Sequence, residues 1–448
     1  MSIIIGKIKQ FLCLAGDIAM LYLALFLTLV FRYNKDWQQQ WQSHFLPFTV
    51  IYISSLIVFY IIGLYDLSLA RNNLFFFLTL TRALLITVIL SVLFFYFIPY
   101  FGITPKTNLF ISFLIFSIFF ALWRQFYNRF IKSQALLNNV LILGQDQETK
   151  ELLQYVKSNP QLGYRVKKVL PPEEVRLLRD LIDTIMKENI QTVVIDANPH
   201  KDKDLVQNLY QCLPLKIMVA DLPAFYEKIT GKIPVSSIGE IWFLQNLMND
   251  QKTFFEGAKR ILDIIFVILI SIPTLILTPL IALLIKIGGK GPIFYRQKRV
   301  GRDSRIFEII KFRTMVQDAE KTGAQWAKEN DKRVTRVGKL LRKTRLDELP
   351  QIWNVLKGEM SFVGPRPERP EFAFSEDLLA QIPFYQVRQS IKPGLTGWAQ
   401  IKYPYGASIK DTLQKLQYDL YYVKNRSIAL ELAIILKTIK IILSGGGR

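Results

Sequence analysis

Long apolar runs separated by short charged stretches fill the first 125 residues of the chain. Four such runs, at about 11–31, 46–65, 83–101 and 107–123, each come near the roughly 20 residues that a helix needs to cross a bilayer core. Lys7 and Lys9 precede the first run as they would in a signal peptide. The run is too long for one, lacks a small-residue cleavage site and is followed by further spans. If the four segments cross alternately, Lys7 and Lys9, then Arg71 and Arg82, then Arg124, Arg129 and Lys132 share one side. The bias of flanking cations makes that side cytoplasmic, together with the N-terminus and everything after residue 124. Arg32, Lys35 and Lys106 fall on the other side and run against the bias.

At residue 139 the periodicity changes. "NNVLILG", "YRVKKVL", "QTVVIDA" and "LKIMVAD" read as short buried strands,. Helical stretches near 148–157, 173–188 and 202–213 separate them. This β-α-β order predicts a small parallel-sheet, Rossmann-like domain. Only Gly144 follows the first strand, so the glycine-rich turn of a dinucleotide site is missing,. A structural or regulatory domain is expected.

A further apolar stretch covers residues 264–285, with Lys259 and Arg260 before it and Lys286 and Lys290 after it. Pro273 and Pro279 interrupt it, and each removes a backbone donor and favours a kink,. Ser271 and Thr278 are expected to satisfy the freed carbonyls,. A helix over about 261–287 that breaks in the membrane at these prolines and returns to the same face fits both observations. An ordinary span would carry the basic region that follows to the outside. Residues 290–425 are basic and polar. The last apolar segment, 427–444, contains Glu431, Lys437 and Lys440, which suits a helix on the membrane surface,. The tail "SGGGR" reads as flexible.

Composition supports this division. Apolar residues make up 51% of the 448, yet the formal net charge is +21. The two rarely share a soluble fold and do coexist where cytoplasmic parts meet anionic lipid. A nucleic-acid binder would interleave its cations with stacking aromatics on a soluble platform. Here the cations flank membrane segments, so no nucleic-acid partner is expected. Two cysteines, Cys13 and Cys212, and two distant histidines, His44 and His200, suggest no disulfide framework and no metal-ligand spacing,.

The candidate chemistry lies in "TRLDELPQIW", where Asp347 and Glu348 follow Arg342, Lys343 and Arg345. A solvated, salt-bridged helix start is the commoner meaning of such a string. The alternative is a site for phosphate and metal together. With a helix starting at "LDELPQIWNVL", Asp347 is the N-cap and Pro350 lies in the first turn,. Leu349, Ile352, Trp353 and Leu356 then form one apolar face,. Adjacent carboxylates on a helix diverge, so one can attack while the other holds a cation. A helix N-terminus and nearby arginines suit a phosphate. Phosphoryl transfer through an acyl-phosphate follows, with Mg²⁺ screening the repulsion between two anions.

Residues 259–445 resemble the bacterial sugar transferase family, the polyprenyl-phosphate hexose-1-phosphate transferases. The resemblance rests on "KRILD", "GPIFYRQKRVG", "KFRTM", "LRKTRLDELPQIWNVLKGEMSFVGPRPE", "KPGLTGWAQ" and "YDLYYVKN". The four spans and the degenerate nucleotide-fold domain are similar to the large members. The resemblance implies transfer of a sugar 1-phosphate from a UDP-sugar to undecaprenyl phosphate, with release of UMP, at the start of polysaccharide assembly. Asp347 matches the aspartate nucleophile, Glu348 its partner in positioning Mg²⁺, and Arg366 of "GPRP" a phosphate-binding arginine. Arg299, Arg342 and Asp419 stand in motifs similar to functional positions, and Arg313 of "KFRTM" is a further anion contact. Where many members carry Ser-Pro at the membrane break, this chain has "SIPTLILTP".

The expected architecture is an α-helical four-span bundle (1–132), an α/β Rossmann-like domain without cofactor fingerprint (133–250) and a mainly α catalytic domain with a re-entrant helix (251–448). Its place is the bacterial inner membrane, with the catalytic domain on the cytoplasmic face. A nucleotide-sugar dehydratase would need the glycine turn missing after "VLILG". A non-catalytic scaffold of polysaccharide assembly is the remaining alternative. The sugar and the oligomeric state stay open.

Overall fold

The computed structural model describes residues 2–98, 106–131, 137–171, 174, 178–196, 203–247, 253–317, 319, 331–403, 406 and 408–443. Lys132, His200, the tail 444–448, residues 99–101 of the third expected span and several residues of the two helices expected at 173–188 and 202–213 lie outside these, as do the side chains of Lys7 and Lys106. Two compact units result, Met1–Thr230 and Gly231–Arg448.

Unit one opens with four long helices, α1 (Ser2–Tyr33), α2 (Trp37–Ile62), α3 (Leu74–Phe97) and α4 (Lys106–Phe130). The stretch Ile8–Ile62, which covers most of α1 and all of α2, and the helices Leu74–Phe97 and Thr107–Phe130 are long and apolar enough to cross a membrane, as is Phe254–Ile287 of unit two. The shared core of α1 to α4 is built from Leu21, Leu25, Leu29, Phe48, Phe59, Phe76, Phe116 and Phe120. Their outer faces leave residues such as Phe11, Leu85 and Leu114 exposed, as a lipid-facing surface requires. Two helices start earlier than their hydropathy suggests. At α2 the polar stretch "WQQQWQSHF" is helical because Trp37 and Trp41 pack on Phe26 of α1. At α3 the side chain of Asn73 accepts the Phe76 amide at 2.9 Å and caps the helix nine residues before the expected start,. Arg124 of α4 pairs with Asp17 of α1, both buried, and donates to the Leu64 carbonyl at 2.9 Å. Beside this pair Gly16 lets the Trp123 ring close on α1, since a Cβ at residue 16 would lie 2.0 Å from it.

The same unit holds a four-stranded parallel sheet of β1 (Asn138–Leu143), β2 (Tyr164–Leu170), β3 (Thr192–Ile195) and β4 (Met218–Asp221), in the order β2-β1-β3-β4. All four expected strands are present. Alternation along β1 sends Val140 and Ile142 against α5 (Gln147–Ser158) and the later helix Leu222–Thr230. Leu141 and Leu143 face α6 (Leu178–Lys187) and α7 (Lys203–Gln211), and we number the helix 222–230 α8. Both sheet faces are therefore covered, as parallel strands require. Gly144 sits against Asp196, where a Cβ would come within 2.3 Å of that side chain.

Unit two begins with α9 (Glu240–Leu247) and α10 (Thr253–Ile287), followed by an antiparallel hairpin of β5 (Phe294–Val300) and β6 (Ile306–Phe312). Next come α11 (Arg336–Lys343), a 3₁₀ turn over Leu346–Gln351 and α12 (Ile352–Lys357). β7 (Ser361–Val363) pairs in parallel with β8 (Gly394–Thr396). Between them lie α13 (Pro370–Ala373) and α14 (Glu376–Gln381), and after them α15 (Trp398–Lys402), α16 (Ile409–Asn425) and α17 (Ile428–Leu443).

Helix α10 runs unbroken for 35 residues through Pro273 and Pro279. Its hydroxyls do not serve the freed carbonyls. Ser271 bonds the Val267 carbonyl and Thr278 that of Thr274, whereas proline at 273 and 279 deprives Leu269 and Leu275 of a donor. These are ordinary i−4 contacts, which keep the hydroxyls satisfied on an apolar helix. One side of α10 is apolar and exposed, at Ile261, Ile265, Ile268, Leu275, Ile276 and Leu283. The other side packs on the rest of the unit at both ends. Val267 joins Val355, Phe362 and Tyr422, and Ile281 and Ile285 join Phe312 and Leu341. Near its start, Lys259 pairs with Glu431 of α17 at 2.5 Å and donates to the Val363 carbonyl at 2.9 Å. Asp263 accepts from the Ser361 hydroxyl and the Phe362 amide, each at 2.9 Å. Glu431, one of the charges that argued against a crossing by the last segment, is thus the buried partner of α10.

Small residues let membrane helices approach closely. Gly16→Val should push Trp123 off α1, lowering the stability of the bundle by about 1–3 kcal/mol. Thermal unfolding of the detergent-purified protein, followed by Trp fluorescence, measures the loss.

Candidate active site

The acidic pair is not the start of an α-helix. Asp347 and Glu348 lie inside the 3₁₀ turn, and the residue that caps it is Arg345, in the left-handed region at φ 55°. Holding a non-glycine residue there costs about 1–2 kcal/mol, which the surroundings must offset. Nor is the pair solvated: both residues are 9% exposed. The apolar face expected of the segment is split. Val355 is buried and Ile352 packs beside it, while Trp353 and Leu356 point outward at 52% and 43% exposure.

Asn354 mounts this segment on the hairpin. Its side-chain oxygen accepts the Ile310 amide at 3.2 Å, and its amide nitrogen donates to the Glu308 carbonyl at 2.7 Å. The side chain thereby pairs with the backbone of β6 as another strand would. Strand β6 in turn delivers Lys311, whose ammonium lies 3.0 Å from Glu348 Oε1. Arg366 donates to the same oxygen at 2.7 Å. Glu348 is thus held by two cations through one oxygen. Asp347 forms no hydrogen bond and no ion pair among the described residues.

The electrostatics separate the two carboxyls. Burial, then the negative charge of Glu348, raises the Asp347 carboxyl above its ordinary range, with Lys311, Arg342 and Arg366 working against them,. Burial also acts to raise Glu348, but Arg366 and Lys311 outweigh it and hold the group well below the usual carboxylate range. Burial lowers the Lys311 ammonium, with Glu348 opposing. Arg342 and Arg345 add to the positive field on the pair. Two carboxylates among four cations leave the site net positive and suited to an anionic ligand.

The loop carrying Arg366 is fixed from behind. Gly364 donates to the Thr396 carbonyl and Gly394 to that of Pro365, each at 2.9 Å. The two backbones cross so closely that a Cβ at Gly394 would lie 2.0 Å from the Gly364 nitrogen, which is why "VGPRP" and "KPGLTG" both need glycine. Arg388, buried, donates to the Arg366 carbonyl at 3.0 Å and to the Tyr385 hydroxyl at 2.9 Å. It also pairs with Asp419 at 2.7 Å. Burial pushes the Asp419 carboxyl up to about 6 while Arg388 works against it. Asp419 therefore reaches the site only through Arg388.

The remaining expected residues divide. Arg299 donates to the Pro367 carbonyl at 3.0 Å and to Gln297 at 2.6 Å, and its Nε is buried without a partner. Burial brings this guanidinium down to about 10, with Glu368 opposing. It sits behind Arg366. Arg342 bonds the Thr314 hydroxyl at 2.9 Å and contributes charge to Asp347. Arg313 turns away from the pair. It donates to the carbonyls of Ile285, Gly289 and Lys290, and so caps the C-terminus of α10. In "KFRTM" the residue at the acidic pair is Lys311, which sequence reading missed together with Arg388. The pairing of β6 with the 3₁₀ turn that brings Lys311 to Glu348 leaves no mark in local spacing.

No cluster of three or more His, Cys, Asp or Glu suited to a metal occurs among the described residues. Two carboxylates are nevertheless a fitting donor set for Mg²⁺, which keeps several waters and takes its other ligands from substrate phosphates.

Apolar spans mark a multi-pass membrane protein, and its buried, cation-ringed carboxylate pair offers a net positive setting suited to an anion,. A family model described as bacterial sugar transferase matches residues 254–445. UDP-glucose:undecaprenyl-phosphate glucose-1-phosphate transferase of Xanthomonas campestris pv. campestris is 33% identical over 337 residues, which are 71% of this chain and 69% of that protein. The UDP-N-acetylgalactosamine-undecaprenyl-phosphate N-acetylgalactosaminephosphotransferase of Aeromonas hydrophila is 41% identical over 239 residues, 53% of this chain and 55% of the relative. A UDP-glucose:undecaprenyl-phosphate glucose-1-phosphate transferase of Klebsiella pneumoniae is 34% identical over 306 residues, 64% of each. The match thus spans little more than half of the Aeromonas protein and somewhat more of the others. The chain belongs to the bacterial sugar transferase family, the polyprenyl-phosphate hexose-1-phosphate transferases.

Removing one partner of a buried ion pair leaves the other charge uncompensated, at a cost of about 3–5 kcal/mol. Arg388→Met should lose stability on that scale and Asp419→Asn less, because a neutral amide tolerates burial better. Chemical unfolding of both variants gives the comparison.

Proposed function

We propose that the protein transfers a sugar 1-phosphate from a UDP-sugar to undecaprenyl phosphate and releases UMP. The observation that carries this reading is the buried Asp347 carboxylate, without a hydrogen-bond or ion-pair partner among the described residues, beside a Glu348 that two cations hold. In the first half-reaction an Asp347 oxygen attacks the sugar-bearing phosphorus. An Asp–O–P bond forms, the anhydride P–O bond breaks, and UMP leaves with the bridging oxygen. In the second, an oxygen of undecaprenyl phosphate attacks the same phosphorus. The lipid-diphosphate-sugar forms and the Asp347 carboxylate returns, with no net proton taken or released by the enzyme.

Each neighbour has a part in this scheme. Glu348 stays ionised through Lys311 and Arg366, which keeps Oε2 available to a cation. Asp347 and Glu348 would hold Mg²⁺, which when bound supplies charge neutralisation between nucleophile and diphosphate. Arg366 and Arg342 receive phosphate oxygens, and Arg299 stiffens the Arg366 loop from behind. The named activities of the relatives, on UDP-glucose and UDP-N-acetylgalactosamine, support the reaction class and leave the sugar open.

Helix α10 is read here as re-entrant. Both of its ends pack on the same unit, through Val267 and through Ile281 and Ile285, while its outer face offers apolar side chains to lipid. In this reading the bend in the membrane falls at Pro273 or Pro279, the two positions of the otherwise continuous helix that lack an amide donor,. The active site then lies at the headgroup level on the cytoplasmic face of the inner membrane, where a soluble nucleotide-sugar and a lipid phosphate meet. The scaffold alternative predicts no turnover and has no need for an unbonded buried Asp347.

Purified protein incubated with Mg²⁺ and a panel of UDP-sugars, without lipid, should release about one UMP per active site for one sugar and gain the mass of a phosphosugar. Asp347→Asn should do neither, and chelation should stop release. No UMP from any sugar, with lipid phosphate also supplied, would overturn the transferase reading.

Topology has its own test. In a chain with Cys13 and Cys212 replaced by serine, Gly257→Cys and Lys290→Cys should both react with an impermeant thiol reagent only after the cells are opened. Labelling of position 290 from outside intact cells would mean a full crossing.

A further inference from the structure

Lys392, the lysine of "KPGLTGWAQ", has no part in the reaction above. It lines a small open cleft together with Glu256, Lys259, Arg260, Asp263 and Arg426. Most of these charges are already matched. Lys259 is paired with Glu431 and Arg426 with Glu256, and Asp263 accepts from Ser361 and Phe362. Two cations form no ion pair with a carboxylate among the described residues. Arg260 donates to the carbonyls of Val355 and Leu356, each at 2.7 Å, and these neutral acceptors leave its charge uncompensated. The Lys392 ammonium has no hydrogen bond or ion pair among the described residues. The two converge above Gly358, where a Cβ would lie 3.4 Å from Lys392 Nζ and 4.0 Å from Arg260 Nη2. Partial burial, then Arg260, holds the lysine below its ordinary range, and Arg302 adds to the positive field.

The setting names the ligand. Arg260 directly precedes the exposed apolar side of α10, at Ile261, Ile264 and Ile268. On its other flank lies α12, whose last carbonyls it caps and whose Trp353 and Leu356 face outward. A half-exposed Trp beside unpaired cations at the foot of an apolar face is how proteins meet the headgroup layer. The cleft is also separate from the reaction centre. Its lining contains none of Asp347, Glu348, Lys311, Arg342 and Arg366.

We propose that this cleft is a second phosphate site, in which Lys392 and Arg260 seat the phosphodiester headgroup of an anionic bilayer lipid. Its acyl chains lie along the surface formed by Ile261, Trp353 and Leu356. The bound lipid is not a substrate, and the site does not depend on the transferase reading. It supplies the anion that two otherwise uncompensated cations call for, and it fixes the depth at which α10 and α12 sit in the leaflet.

The test uses the full chain in nanodiscs of equal phosphatidylcholine and phosphatidylglycerol, released into a mild neutral detergent and examined by native mass spectrometry. Wild type should retain phosphatidylglycerol over phosphatidylcholine about fivefold, the size of one unpaired surface cation's contribution. Lys392→Gln should bring the ratio toward one, Lys392→Arg should keep most of it, and Lys298→Gln on β5 should leave it unchanged. Equal retention of the two lipids by wild type overturns the proposal. So does a preference that survives in folded Lys392→Gln. In a second arm, inorganic phosphate is added to lipid-free protein in detergent. Thermal stabilisation that requires Lys392, in a protein without lipid preference, would assign the cleft to a soluble anion and overturn the lipid site.

Discussion

One carboxylate oxygen, Glu348 Oε1, organises the reactive end of this protein. Lys311 reaches it from strand β6 and Arg366 from the loop after β7. A buried carboxylate is costly unless paired and hydrogen-bonded, so these two cations are a condition for having the acidic pair inside at all. Their attention to Glu348 is also what leaves Asp347 without a partner. The division of roles between two adjacent acids follows from which of them the cations can reach.

The surrounding motifs are then intelligible as supports. In "KFRTM", Lys311 meets Glu348, Phe312 enters the core, Arg313 caps α10, and Thr314 receives Arg342. Asn354 fastens the acidic segment to the backbone of β6. The glycines at 364, 394 and 397 let two chains cross where any side chain would collide. Arg388, anchored by Asp419 and Tyr385, holds the carbonyl of Arg366 itself. A displacement at any of these would reach the acidic pair as a change in distance.

Helix α10 joins the elements around the acidic pair to a long apolar face. Its first turns are rooted in buried polar contacts, Lys259 with Glu431 and Asp263 with the start of β7, and its last turns are capped by Arg313. Between them it turns isoleucine and leucine outward.

Much of this was legible in the chain before folding. Period and length announced the four N-terminal helices, because no other arrangement satisfies twenty apolar residues, and short apolar runs between amphipathic helices announced each of the four parallel strands. The motif string around Asp347 and Glu348 marked the segment that holds the buried acidic pair. Helix limits were less legible where an aromatic contact or an Asn cap extended a helix beyond its hydropathy, as at Trp37 and Asn73. What only the tertiary structure decided was which side chains meet. Lys311 is 37 residues from Glu348 and Arg388 is 22 from Arg366, separations with no periodicity to read. Arg313 and Arg342 look alike as cations near a phosphate motif, yet one caps a helix and the other faces the acids. Local pattern specifies elements because burial repeats with the backbone period. Partnership between charged groups depends on where those elements cross, and that is a property of the folded chain alone.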